Sequence, residues 1–128
     1  WYRDAGYKQL GLRDINDLLL NWEQDHLAWD ANDLLAKLAT WQNADISQND
    51  LYRGDLKSAL RGISASTIII ACDNDLYFPP ADNELEVCNI PDGELRVYES
   101  PWGHCVASPG NDSGFHACLD QAISDLIG

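Results

Sequence analysis

The sequence has 128 residues, 45% hydrophobic and 23% charged, a composition that suits one globular core and excludes disordered or collagen-like chains. Eight Lys and Arg stand against 21 Asp and Glu, and the net charge of −13 repels phosphate backbones and anionic lipid headgroups. Nucleic acid and membrane partners are therefore not expected, and no apolar run approaches the roughly 20 residues of a membrane span.

The opening WYRDAGYKQL lacks the apolar core and cleavage site of a signal peptide, so a soluble, cytoplasmic chain is expected. There is no methionine, and the chain starts on Trp1, a residue suited to a core; it reads as part of a longer chain. Cys72, Cys88, Cys105 and Cys118 have 12 to 16 residues between neighbours, without the close ligand pairs of a zinc site. Reduced, mostly buried thiols are expected, and no metal.

In chain order, Ile15, Leu18, Leu19 and Trp22 have helical spacing and predict a helix over roughly residues 12 to 24. Asp30 precedes Ala31, Leu34, Leu35, Leu38 and Trp41, a second amphipathic helix, with Asp33 suited to its positive start. Asn43 to Asp50 reads as a loop, and Asp55 as the N-cap of a short helix bearing Leu56, Ala59, Leu60 and Ile63. Thr67 to Cys72 is the β-branched run of a strand buried on both faces, which predicts a parallel sheet.

A polar loop, Asp73 to Asp75, leads to Pro79-Pro80 at a helix start, with Ala81, Leu85 and Cys88 on one helical side. Pro91-Asp92-Gly93 is a turn, Leu95 to Glu99 alternates like a strand, and Phe115, Cys118, Leu119, Ala122 and Leu126 make a closing helix. The fold class is α/β, and functional groups of such sheets lie beyond the carboxyl ends of the strands. Two loops occupy that position, residues 72 to 78 and 100 to 110.

An acid in the first loop and a histidine in the second is the order of the last two members of a Ser…Asp…His triad. The histidine moves the nucleophile's proton to the leaving group, and the carboxylate orients the imidazole and stabilises its cation. Gly103 allows the tight turn that aims His104 across the sheet. Asp75 reads alternatively as a turn cap, and His104 as a structural histidine. His26 and His116 read as structural, with His116 facing solvent. Adjacent side chains point apart, so Cys105 is not paired with His104 as a nucleophile.

The sequence resembles the homoserine O-acetyltransferase-like branch of the α/β-hydrolases. Trp29-Asp30-Ala31-Asn32-Asp33-Leu34-Leu35, Thr40-Trp41-Gln42, Asp45-Ile46-Ser47, Asp75-Leu76-Tyr77-Phe78-Pro79-Pro80 and Trp102-Gly103-His104 carry the resemblance, over about residues 22 to 127. It implies the C-terminal part of an α/β-hydrolase fold: residues 1–50 form a helical cap region and the return to the main domain, and 51–128 a core segment. It also matches the triad acid to Asp75 rather than Asp73 and the triad base to His104. Read from the residues themselves, Trp22, Trp29, Trp41 and Trp102 are expected mainly in the core and packing, and Trp102, beside His104, also as a wall of the acyl pocket.

The resemblance implies acetyl transfer from acetyl-CoA, a co-substrate with no tightly bound cofactor, to an amino-acid hydroxyl; with water as acceptor the same machinery is an esterase. The nucleophile elbow Gly-x-Ser-x-Gly does not occur in the sequence, so an N-terminal half is implied as the partner that carries it, and the 128 residues alone are expected to be inactive. Beyond that half and small-molecule substrates, a homodimer is the remaining partner envisaged. The family often has a polar or acidic residue after the histidine, where Cys105 stands here.

Two other function classes compete. Cys72-Asp73-Asn74-Asp75 is a strand followed by D-x-D, as in metal-dependent phosphoryl transfer, but no lysine follows Lys57 to neutralise a phosphoryl group. A non-catalytic hydrolase-like module would instead serve association through exposed sheet edges and helix faces.

Overall fold

The computed structural model describes residues 4–108 and 110–128; Trp1 lies outside them. The elements in order are α1 (Asp4–Gln9), α2 (Ile15–Leu27), α3 (Ala31–Asn43), α4 (Leu56–Arg61), β1 (Thr67–Cys72), α5 (Pro80–Val87), β2 (Gly93–Tyr98), a 3-10 turn (Gly103–Cys105) and α6 (Ser113–Ile127).

Aspartates start four of the helices. Asp14, Asp30, Asp55 and Asp112 accept from the first free backbone N–H groups of α2, α3, α4 and α6, groups that no intrahelical carbonyl can reach. Part of the acidic excess thus has local structural work. The cap at Asp14 also moves α2 three residues later than its expected start. Arg13 stays outside the helix, with its guanidinium on Asp17.

β1 and β2 pair in parallel from Thr67↔Gly93 to Cys72↔Tyr98, and α5 and α6 pack on them. Within β1 burial is complete at Ala71 and Cys72, while Thr67 to Ile70 are half-buried. Cys72, Trp102, Val106 and Phe115 form the core beneath the strand ends, flanked by Ile70, Tyr98 and Cys105. Tyr98 meets Phe115 edge-to-face, with centroids 5.4 Å apart, a geometry that aligns ring edge with ring face.

Helix α1 carries no apolar periodicity and was not expected. It buries Tyr7, and the Gln9 Oε1 accepts from the Trp102 indole at 2.9 Å, so tertiary packing supports a helix too short to persist alone. This contact joins residues before position 50 to the core segment. In α3, by contrast, Leu34, Leu35, Leu38 and Trp41 all remain exposed.

All four cysteines are free. Cys72 is buried and Cys105 and Cys118 are half-buried, but Cys88 is exposed, which corrects its expected place on a covered helical side. Ala81 and Leu85, on the same side of α5, are exposed as well, so this side of the helix faces away from the strands.

Candidate active site

The parallel register sets Cys72 beside Tyr98, so the loops leaving the two strands emerge side by side. Asp73 holds them together. Its backbone N–H donates to the Tyr98 carbonyl at 3.0 Å, and its Oδ1 accepts from the Ser100 N–H at 3.0 Å and from the Asn74 side chain at 2.8 Å. The buried Ser100 hydroxyl donates to Asp112 Oδ2 at 2.6 Å, which ties the second loop to the start of α6.

Two residues on, Asp75 divides its oxygens. Oδ1 accepts from the backbone N–H groups of Tyr77 at 2.8 Å and Phe78 at 3.1 Å, and Oδ2 lies 3.1 Å from Nδ1 of His104. The turn-cap reading and the histidine-partner reading thus hold together, one per oxygen. The carboxylate is 11% exposed and the imidazole 44%. Burial pushes the Asp75 carboxyl up, but the Phe78 and Tyr77 N–H donors and His104 outweigh it, so its pKa lies below the ordinary value.

An ionised carboxylate at this distance selects the tautomer with the proton on Nδ1, leaving the lone pair on Nε2. His104 sits in the 3-10 turn opened by Gly103, at φ +52°. A β-carbon there would stand 2.7 Å from the Asn74 carbonyl oxygen, so the absence of a side chain lets the histidine loop close onto the acid loop.

Aromatic rings flank the imidazole. The Tyr77 centroid is 4.6 Å and that of Phe78 5.4 Å from the His104 ring. Trp41, in the last turn of α3, lies 5.8 Å from Tyr77 and 5.7 Å from Phe78. Trp102 lies in the core, as its packing reading expects: it is 4% exposed, with its indole on Gln9. It anchors the base of the loop, and Tyr77 and Phe78 are the rings that flank the imidazole. The Tyr77 and Phe78 positions have a local signal in their N–H spacing after Asp75; Trp41, 34 residues earlier in the sequence, has none.

The other sequence candidates do not join this pair. Asp73 spends Oδ1 within the loops, His26 points Nδ1 at the Trp22 carbonyl within α2 at 2.8 Å, and His116 is exposed on α6. Burial pushes the Cys105 thiol up from its ordinary pKa, which opposes thiolate formation. Among the described residues no His, Cys, Asp and Glu group is arranged to hold a metal ion, and no helix is long and apolar enough to cross a membrane.

No protein-family model matches the chain. A probable esterase of Corynebacterium glutamicum is 33% identical over 105 residues, which make up 81% of this chain and 29% of that protein. An ethyl acetate hydrolase of Pseudomonas veronii is 29% identical over 128 residues, 99% of this chain and 36% of the relative. The crystal structure of an acetylester hydrolase from Corynebacterium glutamicum matches 98% of this chain and 35% of its own, with a TM-score of 0.84 and 28% identity. A homoserine O-acetyltransferase of Trichormus variabilis is 29% identical over a shorter stretch, 59% of this chain and 20% of the relative. The chain spans between about a fifth and about a third of the length of the relatives it matches. It is related to α/β-hydrolase-type esterases and acyltransferases, and its α/β fold is a part of theirs.

Proposed function

We propose that the chain supplies the acid and base of a Ser-His-Asp triad in an enzyme that cleaves short-chain carboxylic esters with water. The observation that carries this reading is the 3.1 Å approach of Asp75 Oδ2 to His104 Nδ1, which leaves Nε2 as the proton acceptor. The serine is contributed from outside these 128 residues, since the sequence contains no Gly-x-Ser-x-Gly.

In the acylation step Nε2 takes the serine proton as its oxygen bonds to the ester carbonyl carbon. The carbon–alkoxy bond then breaks, and the proton passes from Nε2 to the departing alkoxide. Water repeats the sequence on the acyl-enzyme, releasing the acid and the serine. Asp75, ionised and little exposed, favours the imidazolium formed in each step.

Acetyl transfer from acetyl-CoA to an amino-acid hydroxyl is the second reading, supported by the homoserine O-acetyltransferase relative. Two features favour water and simple esters over it. Eight Lys and Arg stand against 21 Asp and Glu, and Lys37 lies over the Trp29 ring, so the net charge of this segment disfavours the phosphates of CoA. Cys105 stands directly after the histidine, where burial pushes its thiol pKa up, so this position offers no carboxylate to the ammonium of an amino-acid acceptor.

The test is a pair of assays on the full-length protein, ethyl acetate in water and acetyl-CoA with homoserine. Hydrolysis of ethyl acetate that disappears in His104→Ala is the expected result. Transfer to homoserine without hydrolysis supports the second reading, and neither activity overturns both.

A further inference from the structure

General-acid chemistry fixes which part of an ester lies nearest the histidine. The proton leaves the imidazole for the alkoxy oxygen, so reacting atoms must come within about 3 Å of the ring, and the group on that oxygen lies just beyond. The rings in contact with His104 are those of Tyr77 and Phe78, and Trp41 touches both. Trp41 is 50%, Tyr77 55% and Phe78 48% exposed, so these rings still present apolar surface beside the imidazole. The nearby carboxylate, Asp75, is turned inward to its own loop and His104, and among the described residues no Lys or Arg lies over these three rings.

We infer that Trp41, Tyr77 and Phe78 form the wall of the subsite for the alcohol portion of the ester, so that the enzyme prefers uncharged esters of apolar alcohols. The inference rests on the ester-cleaving role proposed above and adds its leaving-group class. It also gives α3 a part in specificity, since Trp41 packs on the Tyr77 and Phe78 rings.

The full-length enzyme is assayed with benzyl acetate, ethyl acetate and ethyl butyrate, as wild type and as Trp41→Ala, Trp41→Phe, Tyr77→Ala and Tyr77→Phe. In the alanine variants the kcat/KM ratio of benzyl to ethyl acetate falls about tenfold, mainly through KM, while the ratio of ethyl butyrate to ethyl acetate stays within about twofold. The phenylalanine variants retain a ring and keep the wild-type ratios. A shift in the butyrate ratio with the benzyl ratio unchanged would assign the wall to the acyl side and overturn the inference. A parallel fall for all three esters also overturns it, because it marks a structural role only. A wild type that cleaves ethyl acetate but never prefers benzyl acetate defeats the inference and spares the esterase reading; a wild type that cleaves none of the three removes both.

Discussion

The β-carbon position of Gly103 points at the carbonyl of Asn74, 2.7 Å away, and this approach joins the histidine loop to the acid loop. A methyl group there collides with backbone and occupies a left-handed conformation, at φ +52°, that L residues rarely adopt. Gly103→Ala is expected to destabilise the fold by about 1–3 kcal/mol. It should also lower ester hydrolysis by the full-length protein more than the loss of folded enzyme explains. Thermal unfolding and kcat measured on the same preparation check both effects.

Asp112 links three elements, accepting from the Ser100 and Tyr98 hydroxyls and from the N–H groups of Gly114 and Phe115. The Ser100 hydroxyl leads in lowering its pKa; burial opposes this, and Tyr98, Phe115 and Gly114 add to the lowering. A carboxyl with a depressed folded-state pKa stabilises the fold above its unfolded pKa, and that stability is lost as pH falls through the folded value. The loss therefore begins below about pH 4. Asp112→Asn is expected to cost about 1–2 kcal/mol at neutral pH and to flatten the acid limb of stability. Urea midpoints taken from pH 7 down to about pH 3 provide the comparison.

The cysteines should separate by reactivity. Cys88 is exposed, whereas burial raises the thiol pKa of both Cys72 and Cys105, so less of each is thiolate. Under native conditions a thiol-specific reagent is expected to modify Cys88 first and Cys72 last among these three, as read by peptide mass. Early modification of Cys72 would mean that the core beneath the strand ends opens readily.

Much of the fold was legible because local signals agree with tertiary packing. The run Thr67-Ile68-Ile69-Ile70 announced β1, and Asp30 and Asp55 announced the starts of α3 and α4 at the residues where they cap them. Helix α1 was illegible because its support, Gln9 on the Trp102 indole, spans 93 residues of sequence. The start of α2 was misread because Asp14 fits both a polar helix face and a cap, and only its two backbone donors decide for the cap.

The site divides in the same way. Asp75 and His104 lie in loops that follow neighbouring parallel strands, which pattern and resemblance can both find. The core place of Trp102 is legible from its large apolar ring, and its side chain joins Cys72, Val106 and Phe115 there. Trp41 enters from a helix whose own pattern marks only an apolar face, so its contact with Tyr77 and Phe78 becomes visible only in three dimensions.

The central claim is that Asp75, and not its neighbour Asp73, orients and stabilises His104 during acyl transfer. It is tested most directly by kcat/KM for ethyl acetate in full-length Asp75→Asn and Asp73→Asn. The account predicts a fall on the order of 10⁴-fold for Asp75→Asn and less than about tenfold for Asp73→Asn once both are corrected for folded protein. A reversed order, or an Asp75→Asn variant that keeps more than about a tenth of wild-type activity, would contradict it.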